Sequence, residues 1–262
     1  MSSVLIAVVI VAAIGLIVGI VLAVASVLMA VPVDEKAEKI LEQLPGANCG
    51  ACGFSGCSGY AAALSKGEAE LGLCSPGGQS VIDAVAPIIG SDSVQSVPKT
   101  AVVHCFGNDE FTAKSVRYQG IESCAAAAQL YGGMGDCSYG CIGYGDCVKS
   151  CEYNAITVCN GVASVNSELC KACGKCVKSC PKKLITIEPK TPHASVRCSS
   201  CDKGAQTRKS CKTGCIGCMK CVKLCESGAV RVTEFHAVID PEKCTGCGKC
   251  IEGCPQKVIY MV

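Results

Sequence analysis

Cys170-Lys171-Ala172-Cys173-Gly174-Lys175-Cys176-Val177-Lys178-Ser179-Cys180-Pro181 is the stretch that decides the reading of this chain. Cys244-Thr245-Gly246-Cys247-Gly248-Lys249-Cys250-Ile251-Glu252-Gly253-Cys254-Pro255 repeats it. Three cysteines at steps of three place three sulfurs around one corner of an iron–sulfur cubane. The fourth, held out before the proline, serves a neighbouring cluster. A tetrahedral zinc ion accepts a Cys-x2-Cys pair but has no use for the third and fourth cysteines of this run.

Outward from these runs the chain is an internal repeat. A shift of 74 residues superposes nine cysteines: Cys124 on Cys198, Cys137 on Cys211, Cys141 on Cys215, Cys147 on Cys221, Cys151 on Cys225, and all four of the first run on the second. Two copies of one cluster-binding unit account for this. By the crossed rule, Cys215, Cys218, Cys221 and Cys254 form one ligand set and Cys225, Cys244, Cys247 and Cys250 a second. In the first copy, Cys151, Cys170, Cys173 and Cys176 form a third. Tyr144 stands where the second copy has Cys218. Cys137 is the expected replacement, giving Cys137, Cys141, Cys147 and Cys180. Glu152 and Glu226 stand where the usual prolines would follow Cys151 and Cys225.

Upstream, Cys49, Cys52, Cys57 and Cys74 lie among glycines and form a fifth set. Of the 26 cysteines these sets use 20. Cys105, Cys124, Cys198 and Cys211 are enough for a sixth site linking the copies, the alternative being four structural thiols. Cys159 and Cys201 are read as unligated small residues. In 262 residues this density excludes an enzyme with incidental thiols and leaves a disulfide scaffold or a metal–thiolate protein.

The N-terminus bears on that choice. Residues 1–33 carry no charged side chain, and Val4 to Val33 is an apolar run of about 45 Å as a helix, against about 30 Å of hydrocarbon. A cleaved signal would want a basic start and a shorter core. Met1-Ser2-Ser3 offers neither Lys nor Arg, so the run is read as a retained single-pass anchor, with a Gly15/Gly19 GxxxG pair. Lys36 and Lys39 follow it, which favours a cytoplasmic position for the rest, where thiols stay reduced. Helices are expected over 58–66 and 79–89, with 34–44 at helical spacing and a linker over 91–100.

Anchor, upstream cysteine set and repeated runs, in this order, resemble the B subunit of the Rnf complex, an ion-translocating ferredoxin:NAD oxidoreductase, in a long form with two ferredoxin modules. The segment Asn48-Cys49-Gly50-Ala51-Cys52-Gly53 with Cys57 and Cys74 also resembles the four-iron domain of corrinoid iron–sulfur proteins. The resemblance implies an α+β chain: transmembrane anchor 1–33, helical 4Fe–4S domain 34–98, and ferredoxin-like modules 99–190 and 191–262. It implies a cell-membrane subunit that takes electrons from ferredoxin through at least five 4Fe–4S clusters. It would relay them to membrane redox subunits, coupled to Na⁺ or H⁺ transport. A stand-alone membrane-anchored polyferredoxin would show the same ligands; a zinc or thiol-storage protein is the other alternative.

No dinucleotide fingerprint or phosphate loop is present, so no NAD site and no catalytic residue is expected in this chain. The three histidines, His104, His193 and His236, lie apart and are read as structural. A net charge of +2 gives no sign of nucleic acid. Residues 170–223 nevertheless hold 13 basic against 2 acidic residues, while 34–98 hold 3 against 8. Ferredoxin docking is therefore expected on the basic repeat, at Lys175 and Lys178, by electrostatic steering.

Overall fold

The computed structural model describes residues 2–28, 34–130 and 132–262. Helix α1 (Ser2–Leu28) is apolar throughout, and Leu5–Ser26 is long and apolar enough to cross a membrane, with its side chains exposed on all faces. Residues 29–33 of the expected anchor lie outside the described residues.

Three helices follow: α2 (Glu35–Gln43), α3 (Cys57–Lys66) and α4 (Gly78–Ile89). Asp34 caps α2 by accepting from the amides of Lys36 and Ala37, and it also accepts from Ser65 Oγ on α3. This meets two of the orphan donors of the first turn and ties the helices together. Ile40, Tyr60, Leu64 and Val85 close the core between them. Tyr60 is 2% exposed; its hydroxyl donates to Glu70 O and accepts from Leu73 N, which holds the loop that ends in Cys74.

The first repeat contains β1 (Lys99–Val103), α5 (Cys124–Gln129), α6 (Asp146–Lys149), β2 (Ile156–Cys159), β3 (Val162–Val165), α7 (Lys175–Ser179) and β4 (Ile185–Pro189). The second contains β5 (Ala194–Val196), α8 (Gly204–Ser210), α9 (Lys220–Leu224), β6 (Val230–Thr233), β7 (His236–Ile239), α10 (Lys249–Glu252) and β8 (Ile259–Met261). In each, the outer strands pair antiparallel, β1 with β4 and β5 with β8, and the inner strands form a hairpin, β2 with β3 and β6 with β7. Inward-facing aliphatics and cysteines form a core in each repeat, and in the first repeat Cys124, Ala127 and Ile142 form a second, smaller cluster. The expected linker ends earlier than residue 100: Lys99 and Thr100 belong to β1, and Thr100 is 2% exposed.

The 74-residue repeat is not gapless. The amide of Ala101 donates to Cys170 Sγ at 3.3 Å, and that of Ala194 to Cys244 Sγ at 3.4 Å. Ala101 therefore corresponds to Ala194, and Cys105 to Cys198, at a shift of 93. Between β1 and Cys141 the first repeat carries 19 residues more than the second, and α5 lies in this longer connection.

The repeats are stapled to each other. His104 Nδ1 lies 2.8 Å from Val196 O on β5. Glu188, on β4, contacts His104 Nε2 at 3.1 Å and His193 Nε2 at 2.9 Å. Two histidines that lie far apart in sequence thus meet on one carboxylate. Burial alone would raise the Glu188 pKa, but the imidazole hydrogen bonds outweigh it and hold the carboxyl down to about 2. Phe106 packs on Tyr260 at 4.9 Å between ring centroids.

Candidate cluster-binding sites

The cysteine loops ending at Cys147, Cys176, Cys221 and Cys250 each run into a short helix, α6, α7, α9 and α10. Cys151, Cys170, Cys173 and Cys176 line one pocket beneath Ala101 and Ile187. Cys215, Cys218, Cys221 and Cys254 line the corresponding pocket of the second repeat, walled by Val196, Val232 and Ile259. Cys250 faces Cys244, Cys225 and Cys247. In the helical domain, Cys74 faces Cys57, Cys49 and Cys52. Asn48 Oδ1 accepts from the amide of Cys57 at 2.8 Å, folding the Cys49–Cys52 loop back onto α3.

Two cysteines exchange places relative to expectation. Cys124, not Cys137, joins Cys141, Cys147 and Cys180 around one pocket. Cys137 instead joins Cys105, Cys198 and Cys211, the set in which Cys124 was expected. The longer connection is the cause. Asp146 Oδ2, at the start of α6, accepts from Ser123 Oγ at 2.8 Å and from Ala125 N at 3.0 Å. This clamps the N-terminus of α5, with Cys124, beside Cys147. Cys137, left free, turns toward Cys211 of the other repeat. A readable signal existed in Ala101-x-Val103-x-Cys105 against Ala194-x-Val196-x-Cys198.

The donor sets fit cubanes. Among the described residues no three His, Cys, Asp or Glu side chains converge as around a single ion. The thiols line pocket walls, as a four-iron cluster requires. Backbone amides also aim at the sulfurs: Leu184 at Cys180, Cys141 at Cys105, Cys215 at Cys198 and Ala237 at Cys215, all within 3.2–3.4 Å. Burial pushes the thiols up, Cys105 and Cys147 to about 12 and Cys176, Cys198 and Cys221 to about 11. Such thiols lose their protons at neutral pH only when bound iron shares the thiolate charge. Cys159 and Cys201 line none of these pockets, and the Cys201 thiol donates to Glu234 Oε2 at 3.3 Å.

Family models match the same segments. "Putative Fe-S cluster" covers residues 44–76, "4Fe-4S binding domain" 163–186 and "4Fe-4S dicluster domain" 214–258. The chain is 39% identical over 261 residues to the B subunit of the ion-translocating oxidoreductase complex of Methanosarcina acetivorans, covering 99% of each chain. The chain belongs to the B-subunit family of ion-translocating oxidoreductase complexes. It is also 40% identical to the B subunit of the Na⁺-translocating ferredoxin:NAD⁺ oxidoreductase complex of Acetobacterium woodii, over 99% of this chain and 78% of that one. To the proton-translocating counterpart of Clostridium ljungdahlii it is 37% identical, over 93% and 87%.

In this member of the B-subunit family both lysines of the expected docking pair bond within the chain. Lys175 is ion-paired with Glu152, and Lys178 Nζ donates to Cys49 O at 3.0 Å. These lysines are occupied within the chain: Lys178 joins the acidic helical domain to the first repeat, where Cys173 lies close enough to Cys49 to feel its charge.

Proposed function

We propose that this chain is the membrane-anchored electron-relay subunit of an ion-translocating ferredoxin:NAD oxidoreductase. In this reading residues 1–33 anchor it, and domain 34–98 and modules 99–190 and 191–262 stand on the cytoplasmic side. It accepts electrons from ferredoxin and passes them to membrane subunits.

The observation that carries this reading is that the six thiol sets abut in series. The Cys49 set adjoins the Cys173 set through Lys178. Within the first repeat, Cys147 faces Cys176 of the adjoining set. The amide of Cys141 then reaches Cys105, and that of Cys215 reaches Cys198, so the shared set lies between the repeats. The second repeat completes the series with the Cys215 and Cys244 sets. Each 4Fe–4S cluster, when bound, supplies a one-electron redox centre. The residues hold the sets in order, exclude water with aliphatic walls and aim amide dipoles at the sulfurs.

The test uses the full chain, purified anaerobically in detergent with its clusters. Reduced ferredoxin should bleach the cluster absorbance, and NAD⁺ added to the chain alone should stay oxidised. No reduction by ferredoxin, or a colourless zinc-containing preparation, overturns the reading.

A further inference from the structure

The two repeats differ at one edge, and the difference points to where electrons enter. Four short helices follow the cysteine loops, each preceded by a residue in the left-handed region. Three of these residues are Gly145, Gly174 and Gly248, with φ of 74°, 73° and 76°; the fourth is Met219, at 60°. The hairpins show the same exchange. Asn160-Gly161 turns the first, as a left-handed turn prefers, whereas Glu234-Phe235 turns the second, with Phe235 at φ 65°. Bulky side chains are strained in this region. Met219 and Phe235 nevertheless occupy it, and each is 49% exposed, so neither gains burial in return.

Both residues flank the same turn. The carbonyl of Phe235 lies so close to Gly217 that a Cβ there would meet it at 2.7 Å, and Cys218 and Met219 follow directly. Cys218 is exposed. Its first-repeat counterpart, Tyr144, is half-buried against Tyr118, with ring centroids 5.9 Å apart, and the thiol there comes from buried Cys124. Cys247 is exposed as well, but Lys243 and Lys249 near it are paired with Asp240 and Glu226. Lys220 and Lys223, beside Met219, are exposed and take no part in those pairs. The acids on this side include Glu234, which accepts from Cys201, and Asp202, which also lies near Cys201.

Strain retained without burial marks a functional surface, and apolar contacts rimmed by charge are how proteins dock transiently. Resting on the relay function above, we propose that Met219 and Phe235, rimmed by Lys220 and Lys223, form the docking surface for an acidic one-electron carrier protein, which delivers its electron at the Cys218 edge. The chain contains a parallel: its acidic helical domain docks its own cysteine loop on the first repeat through Lys178.

The test compares the cluster-loaded full chain with Met219→Gly/Phe235→Gly and Lys220→Glu/Lys223→Glu. Two quantities are read: affinity for oxidised ferredoxin at low salt, and the reduction rate by reduced ferredoxin against that by dithionite. Both variants should lose about tenfold in ferredoxin affinity and in the ratio of the ferredoxin rate to the dithionite rate, which cancels any change in the cluster itself. The glycine variant should melt no lower than wild type, since it relieves the strain. Unchanged ferredoxin affinity in both variants overturns the proposal; so does unchanged affinity with loss of partner subunits, which assigns the patch to the complex. A wild-type chain that ferredoxin neither binds nor reduces overturns the relay function itself.

Discussion

The backbone amide of Cys141 points at the sulfur of Cys105, 3.4 Å away, and the amide of Cys215 points in the same way at Cys198, at 3.2 Å. In each pair the amide belongs to a cysteine of one repeat's own set and the sulfur to the set shared between the repeats. The repeats are therefore joined through their ligands as well as their surfaces.

Iron content follows from this joint. The full chain should bind about 24 Fe, at four per cubane. Cys105→Ala or Cys211→Ala should lower the value to about 20. Cys159→Ser and Cys201→Ser should leave it unchanged. Anaerobic iron and acid-labile sulfide assays with EPR spin counting check this, and about 20 Fe in the unmutated chain would argue against a shared site.

Pairing of the exchanged cysteines can be read from double mutants. Cys124→Ala and Cys141→Ala strike one set, so together they should cost about four Fe. Cys124→Ala with Cys211→Ala strikes two sets and should cost about eight. If Cys137 instead completed the Cys141 set, the pairs Cys137/Cys141 and Cys124/Cys211 would be the economical ones, and iron assays separate the two patterns.

Glu188 gives a pH signature. Its carboxyl is held down to about 2 from 4.5 by His104 and His193. A depressed folded-state pKa contributes stability that is fully present above 4.5 and is lost as pH falls toward 2. Glu188→Gln should cost about 1–3 kcal/mol near neutral pH, because buried His193 and half-buried His104 lose an ionised acceptor. The gap between wild-type and variant melting temperatures should shrink on acidification through that window. A gap independent of pH would show that the carboxylate charge plays no part.

In the helical domain, Tyr60→Phe removes a buried hydroxyl that serves Glu70 O and Leu73 N. The two backbone groups lose their partner, at about 1–3 kcal/mol. The Cys74 loop should loosen, visible as faster hydrogen exchange over residues 68–76 and earlier chelator-driven loss of about four Fe. Exchange at the strands of the repeats should not change.

Much of this protein is local and legible in its residues alone. The runs Cys170–Cys176 and Cys244–Cys250 curl around their own pockets because steps of three residues suit one corner of a cubane. The apolar first helix, the Asp34 cap and helices α2, α3 and α4 follow from apolar length, Asp34 and helical spacing. Which distant thiol completes a set is a different kind of fact. Cys124 and Cys137 both precede the loop they could serve. Only the clamp of Asp146 on α5, made possible by 19 extra residues after β1, decides between them. The meeting of His104 and His193 on Glu188, the capture of Lys178 by Cys49, and the packing of Tyr118 on Tyr144 are likewise contacts between segments far apart in the chain. Sequence spacing determines which residues can bind a cluster; packing of the repeats and the helical domain determines which of them share one, and which edge faces solvent.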